Sequence, residues 1–149
     1  METTLTRNQA QEKIVQIMYS FLILENTQAE IDFIPEIENI CECSYDEIDV
    51  FVKEVLLKSL KNQSKIINYI SKYLINWQFS RLNTTIQAIL ITSVVQYALK
   101  EYEIDKAVII NNAVKFAKKF GDGGEKDYKF VNAILDKCLD GTENQLSLD

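Results

Sequence analysis

The sequence contains no histidine, only one proline and only four glycines in 149 residues. Histidine is the side chain that most often transfers protons near neutral pH, and it is the commonest metal ligand. Its absence excludes Ser–His and Cys–His nucleophile pairs. The scarcity of proline and glycine removes most of the residues that β-hairpins and tight turns require. These absences argue against common hydrolytic sites and favour long helices.

Cysteine and long apolar runs are also scarce. The three cysteines, Cys41, Cys43 and Cys138, are an odd number in a chain without a secretory signal, so a disulfide framework is not expected. Without imidazoles they are too few for a four-ligand zinc site, and we predict small buried side chains with no metal and no cofactor. No apolar run reaches the roughly 20 residues that span a bilayer. The sequence therefore predicts a soluble, cytoplasmic protein.

Charge is unevenly distributed along the chain, which has a formal net charge of -6. The stretch from Glu25 to Glu54 holds ten carboxylates opposed by Lys53 alone. From Lys58 to Arg81 there are five basic residues and no acid. The overall charge argues against non-specific binding to polyanions, but this distribution predicts a lopsided molecule with a local basic surface.

Helical periodicity begins with the capping-box pattern Thr6-Arg7-Asn8-Gln9. Apolar residues then recur at spacings of three and four, on one stripe of a helix: Ala10, Ile14, Ile17, Met18, Phe21 and Leu22. The periodicity fails after Asn26, and Pro35 divides the next stretch. Residues 28–43 are therefore expected to form one short helix or two fragments.

A second capping-box pattern, from Ser44 to Glu47, predicts the start of another helix that continues to Leu60. Apolar spacing continues over residues 66–74, and the polar residues 61–64 allow a break between two helices. A further run opens at Asn83 or Thr84 and is apolar on most of its circumference, as expected for a helix at the centre of a fold.

The last third of the chain predicts two more helices. One begins at Asp105 and is ended by Gly121 as a C′ residue. The other runs from about Glu125 to Asp140, with Gly141 just past its end. The predicted architecture is all-α, with six to seven helices in one domain over residues 1–140, followed by a flexible tail over residues 141–149.

Two sequence blocks in this last third resemble the NusB family. The first is Ile110–Gly121, which reads INNAVKFAKKFG, and the second is Lys129–Asp136, which reads KFVNAILD. Trp77, Arg81-Leu82 and Ala88-Ile89-Leu90 add support, as does the first helix, so the resemblance covers about residues 6–140.

The resemblance implies the NusB-like fold, in which two small helical bundles pack together. It further implies a transcription antitermination factor, a binding protein and not an enzyme. Such a factor joins the ribosomal protein NusE and binds boxA RNA, and within the RNA polymerase antitermination complex it helps the polymerase resist termination, notably in ribosomal RNA operons. The related methyltransferases carry an additional α/β part, for which this chain has no room.

Five residues are the candidates for RNA binding. Family members usually begin with an arginine-rich stretch that grips RNA phosphates, of which Arg7 and Lys13 remain here. Lys118 and Lys129 lie within the matched blocks and are expected to complete the basic surface. Phe130, beside Lys129, is a candidate platform for stacking on a base. The alternatives are solubility for each cation and core packing for Phe130.

The sequence departs from the usual family pattern at three positions, where Gln96 and Asn112 replace glutamates and Ala133 replaces a glycine. Together with the thin N-terminal basic cluster, these differences predict weakened RNA binding without NusE. The alternative hypothesis is a helical protein-interaction module or homodimer that keeps the scaffold and binds little or no RNA.

Overall fold

The computed structural model describes residues 5–27, 30–121 and 123–149, excluding the side chains of residues 142–145. Within these residues there are seven α-helices and no β-strand. The helices are α1 (Arg7–Asn26), α2 (Phe33–Cys41), α3 (Val50–Lys61), α4 (Gln63–Ser71), α5 (Thr84–Ala98), α6 (Lys106–Phe120) and α7 (Glu125–Gln145). Short 3-10 turns cover Tyr45–Glu47, Phe79–Arg81 and Lys100–Tyr102. The all-α prediction is confirmed.

Helix α1 begins where the first capping box predicts. Thr6 donates its backbone N–H to the Gln9 side chain at 3.0 Å, and its hydroxyl accepts the Gln9 backbone N–H at 3.1 Å. These two bonds satisfy donors that the first turn of a helix otherwise leaves without partners. The predicted apolar stripe of α1 is buried.

The prediction that the second capping box starts a long helix is wrong. Tyr45–Glu47 form only a 3-10 turn, and the Ser44 hydroxyl donates to the Glu47 side chain instead of capping a backbone N–H. Ile48 is extended and buried, and Asp49 caps α3 by accepting the backbone N–H of Phe51 at 2.9 Å. A carboxylate next to the first turn satisfies the free donors of α3, so the helix begins after it.

Two breaks that the sequence left open are resolved. Pro35 lies inside the first turn of α2, where its missing N–H would have no helical partner in any case. Within the described part of residues 28–43, the chain therefore forms a single helix; residues 28 and 29 lie outside that part. Asn62 separates α3 from α4 and is buried, and its side-chain amide donates to the Lys58 carbonyl at 2.8 Å.

Helix α5 lies at the centre of the fold, as its apolar circumference predicts. Asn83 caps it by accepting the backbone N–H of Ile86 at 2.9 Å, and nearly every residue from Ile86 to Gln96 is buried. Helices α1, α3 and α4 contact α5, and so do α6 and α7. The N-terminal and C-terminal groups of helices thus share one core along α5.

Helices α6 and α7 form an antiparallel pair whose ends differ in part from the prediction. Helix α6 ends at Gly121 as predicted, but with an extended backbone, φ -80°, and not the left-handed conformation typical of a C′ glycine. A Cβ atom there would lie 2.5 Å from the Ala117 carbonyl oxygen, which explains why the position takes glycine. The predicted end of α7 at Asp140 is wrong, because the helix continues through Gly141 to Gln145.

The part of α7 before Gly141 is fastened to other helices. Lys106 forms ion pairs with Asp136 at 2.9 Å and with Asp140 at 2.7 Å, and Tyr69 donates its hydroxyl to the Cys138 carbonyl. A glycine within a helix costs only about 1 kcal/mol relative to alanine, so Gly141 does not by itself end α7. The division into a domain over residues 1–140 and a flexible tail stays a prediction. None of the described helices has the length and low charge that crossing a membrane requires.

Candidate nucleic-acid interface

The turn between α6 and α7 is held in place by Asp127. Its carboxylate accepts the Gly123 backbone N–H at 2.9 Å and lies 3.4 Å from the side-chain nitrogen of Asn83, the cap of α5. A Cβ atom at position 123 would lie 2.2 Å from the Asp127 carboxylate, so a larger residue there would displace this side chain. The end of α6, the start of α7 and the start of α5 therefore meet at one place, which we call the α6–α7 surface.

Three of the five predicted RNA-binding residues lie on the α6–α7 surface. The Lys118 ammonium lies 4.6 Å from the centroid of the Tyr128 ring, and Lys129 forms an ion pair with Glu125 one turn earlier. Phe130 is half-buried and packs edge-on against Trp77, with ring centroids 6.1 Å apart. Trp77 is 50% exposed, so this aromatic pair presents ring surface to solvent.

A groove beside this surface supplies further aromatic side chains. Helix α1 is joined to α6 by the ion pair between Glu12 and Lys119 at 3.2 Å. The groove has a volume of about 350 Å³ and is lined by Val15, Gln16, Tyr19, Thr85, Phe116 and Phe120. Tyr19 is 42% exposed and Phe120 is 41% exposed. The sequence does not single out these two rings, because helical spacing alone does not show which aromatics at the edge of a stripe reach the surface.

Arg7 has different neighbours. Its guanidinium lies 4.0 Å from the centroid of the Phe51 ring and 5.3 Å from that of Tyr102. The Tyr102 hydroxyl donates to Glu54 at 2.7 Å. Burial, assisted by this hydrogen bond, raises the pKa of Tyr102 to about 12, while the charge of Arg7 acts in the opposite direction. The start of α1 therefore holds its cation against the α3 side of the molecule.

Lys13 lies on another side of α1. It lines a small cleft of about 130 Å³ together with Leu5, Cys41, Cys43, Ile48, Asp49 and Val52. Burial is the main cause that raises the pKa of Cys41, followed by the neighbouring Cys43, while the charge of Lys13 lowers it. The structure thus places Lys118 at the end of α6, and Lys129 and Phe130 at the start of α7, each with its own neighbours. Arg7 and Lys13 have separate surroundings. The roles of all five residues stay predictions.

The cysteines, Asp49 and Trp77 are the other residues whose contacts bear on a candidate site. Across the described residues, no three His, Cys, Asp or Glu side chains are grouped so as to hold a metal ion. All three cysteines are free; Cys138 is buried, and burial raises its pKa to about 12. Asp49, within the acidic stretch from Glu25 to Glu54, caps α3 through its side chain. Trp77, one of the residues that support the family resemblance, packs against Phe130.

Comparisons with known proteins agree with this architecture. The model of the NusB family matches residues 8–140. The Transcription antitermination protein NusB of Bacillus pumilus is 31% identical over 140 residues, which cover 93% of this chain and 98% of that protein. The protein of the same name from Campylobacter concisus is 34% identical over 132 residues, covering 89% of this chain and 95% of the relative.

Two solved structures share the fold. The structure described as "T. maritima NusB, P3121, Form 2" superposes with a TM-score of 0.74 at 26% identity, covering 94% of this chain and 93% of the other. A chain in the "Crystal Structure of a Plectonemic RNA Supercoil" has a TM-score of 0.73 at 18% identity, covering 93% of this chain and 99% of the other, a likeness of fold alone. The match of the family model over most of the chain, joined by relatives of nearly equal length, shows that this chain belongs to the NusB family.

Proposed function

We propose that the chain is a cytoplasmic transcription antitermination factor that binds boxA-type RNA together with the ribosomal protein NusE and acts on ribosomal RNA transcription. It does so as a binding protein within the RNA polymerase antitermination complex. The observation that carries the proposal is the family match over residues 8–140, which includes both C-terminal sequence blocks. The relatives that bear the antitermination name match over nearly the whole of their own length.

The α6–α7 surface supports the RNA part of the proposal. Lys118 and Lys129 supply cations for phosphates, and Phe130 offers a ring edge beside the half-exposed Trp77. Single-stranded RNA is bound by this combination, because unpaired bases stack on aromatic rings while cations track the backbone. Arg7 and Lys13, both on α1, would contact further phosphates of the RNA, each from its own side of the helix.

Ion pairs within the protein support a requirement for NusE. Lys119 is paired with Glu12, and Lys129 is paired with Glu125. An RNA phosphate must compete with these carboxylates for each cation, so the gain in binding free energy from each contact is smaller than for an unpaired lysine. We therefore expect weak binding of boxA RNA by the chain alone and tighter binding when NusE contributes a second contact surface.

The test is a fluorescence anisotropy titration of labelled boxA RNA with the full chain, with and without NusE, at several salt concentrations. The variant Lys118→Ala/Lys129→Ala should weaken binding at least tenfold. It should also reduce the slope of log K against log salt by about 0.7 for each phosphate that a lysine no longer neutralises. The control variant Lys61→Ala/Lys72→Ala removes two exposed lysines on α3 and after α4 and should bind as the unmodified chain does. No salt-dependent binding in either mixture would defeat the proposal.

The second candidate function is a helical protein-interaction module or homodimer on the same scaffold, with little RNA binding. It is favoured by the net charge of -6 and by the intramolecular neutralisation of Lys119 and Lys129. Sedimentation of the isolated chain, together with a pull-down of NusE in the absence of RNA, separates the two functions. Tight NusE or self-association in a chain that does not bind boxA RNA would favour the second.

A further inference from the structure

The junction between α3 and α4 holds an extended segment, Leu146–Asp149, that follows α7. The Lys65 ammonium donates to the Ser147 carbonyl at 2.9 Å, and the Lys58 ammonium donates to the main-chain oxygen of Asp149 at 2.8 Å. The Asn62 side-chain oxygen accepts the Asp149 backbone N–H at 2.8 Å. We call the site formed by Lys58, Asn62 and Lys65 the junction cleft.

The junction cleft contacts the main chain of its occupant. Two main-chain oxygens and one N–H group of the segment are bound, and main-chain groups of these kinds are present in any extended peptide. The acceptor oxygen of Asn62 favours a peptide main chain, which offers an N–H donor at each residue other than proline, over a phosphodiester backbone, which offers none. Asn62 is only 3% exposed, and its own amide is held by the Lys58 carbonyl, so the acceptor is fixed in orientation.

Side chains of the segment add an apolar and an acidic preference. Leu146 and Leu148 pack against the core, and the Asp149 carboxylate lies 3.5 Å from the Lys65 ammonium. The cleft lies at the start of the stretch from Lys58 to Arg81, which contains five basic residues and no acid. Its occupant is therefore a peptide with two leucines separated by one residue and followed by an acidic residue.

Space next to the bound segment remains open. A cavity of about 490 Å³ adjoins Asp149 and is lined by Leu60, Lys61, Gln63, Ser64 and Lys65, with Glu25 and Asn62. The Lys61 side chain in this wall is exposed. A peptide that carries one or two further acids after the position of Asp149 would bring them towards this cation, in addition to the contacts that Leu146–Asp149 makes.

We propose that the junction cleft is a docking site for an extended acidic peptide of another polypeptide, with the pattern leucine, any residue, leucine, then two or three acids. The segment Leu146–Asp149 occupies the cleft within the same chain and competes with such a peptide. Because a tethered segment acts at an effective concentration in the millimolar range, it blocks weak ligands and yields to a peptide that binds more tightly. The proposal does not depend on RNA binding, and its test contains no NusE.

The test measures binding of a fluorescein-labelled peptide, Gln-Leu-Ser-Leu-Asp-Glu-Glu, to the full chain by fluorescence anisotropy. The variant Leu146→Ser/Leu148→Ser weakens the chain's own segment and should bind the peptide at least tenfold more tightly than the unmodified chain. Adding Lys58→Ala/Lys65→Ala to that variant should weaken binding at least tenfold. The matched control adds Lys115→Ala/Lys126→Ala, two exposed lysines on α6 and α7, and should leave the affinity unchanged.

Circular dichroism checks that each variant keeps its helices, and Asp149→Lys replaces the serine variant if that variant does not fold. The proposal is overturned if the opened chain does not bind the peptide, or if Lys58 and Lys65 are without effect. Two competitors test specificity: a scrambled peptide of the same composition and an oligouridylate. Each should bind at least tenfold more weakly than the labelled peptide does, measured by its ability to displace that peptide. Equal binding by either would show a site that recognises charge alone, which also overturns the proposal.

Discussion

The two ends of helix α1 lie beside two basic regions whose cations have different neighbours. Eighteen residues of helix separate Arg7 from Glu25, a distance of about 27 Å. Near the first end, Arg7 rests on two aromatic rings and Lys119 is paired with Glu12. Near the second end, Glu25 accepts a hydrogen bond from Gln63 at 3.0 Å, and the neighbouring lysines Lys58 and Lys65 are covered by Leu146–Asp149.

This difference shows that a run of basic residues does not by itself identify a nucleic-acid surface. The stretch from Lys58 to Arg81 contains five basic residues and no acid, yet two of its lysines donate to main-chain oxygens of the same chain. Helix α6 also contains lysines and no acid, and there Lys118 and Lys119 lie over the rings of Tyr128 and Phe120. What a cation can bind depends on its neighbours in space, since a paired ammonium must first leave its partner.

The largest expected effect on stability is at the second end of α1. Asn62→Ala removes the hydrogen bonds to the Lys58 carbonyl and from the Asp149 N–H at a buried position. We expect the free energy of unfolding to fall by about 1–3 kcal/mol, because each bond contributes about 1 kcal/mol and buried partners lose theirs. Urea denaturation measures this change. The control Asn68→Ala, exposed on α4, should change stability by less than about 0.5 kcal/mol. Equal effects of the two variants would contradict the expectation that the hydrogen bonds of Asn62 stabilise the fold.

A smaller effect is expected from Arg7 at the first end. Arg7→Ala removes the contact of the guanidinium with the Phe51 ring at 4.0 Å. Because the side chain is exposed, the free energy of unfolding should fall by only about 0.5–1 kcal/mol. Arg7→Lys keeps a cation over the ring and should be less destabilising. Urea denaturation of both variants checks this order, and a decrease from Arg7→Ala as large as that from Asn62→Ala would contradict the comparison.

The smallest effect is expected from the ion pair between Glu12 and Lys119. A double-mutant cycle with Glu12→Gln and Lys119→Met should give a coupling of about 0.2–1 kcal/mol, because the pair is exposed to solvent. The coupling should decrease when salt is raised to 1 M, where screening shortens the Debye length to about 3 Å. A coupling that does not change with salt would show a pair that the solvent does not reach, contrary to its exposure in the structure.

Much of the fold follows from local patterns that need no tertiary information. The capping box at Thr6 and the capping residue Asn83 predict the starts of α1 and α5, and the apolar circumference of α5 predicts its central position. The second capping box fails because Ile48 is buried in an extended conformation, which moves the start of α3 to the next available cap, Asp49. The predicted end of α7 is wrong because a glycine within a helix costs only about 1 kcal/mol relative to alanine, and Gly141 lies inside α7.

The candidate site, like the fold, can be predicted only in part from the sequence. The matched sequence blocks select Lys118, Lys129 and Phe130, whereas the fold decides their neighbours, which are Tyr128, Glu125 and Trp77. Sequence blocks do not select Tyr19 and Phe120, whose exposure depends on how α1 packs beside α6. They also give no indication that Gln96 is buried and donates to Gln11, across 85 positions of sequence.

The sequence by itself determined that this chain is helical, where most helices begin, and to which family it belongs, because periodicity, caps and short motifs are local properties. Only the tertiary structure decided which lysines face aromatic rings, which are occupied by the chain's own acidic segment, and which helix ends are extended. Those outcomes depend on contacts between residues far apart in sequence, and the free energy of such contacts is set by burial and by the neighbours that packing supplies.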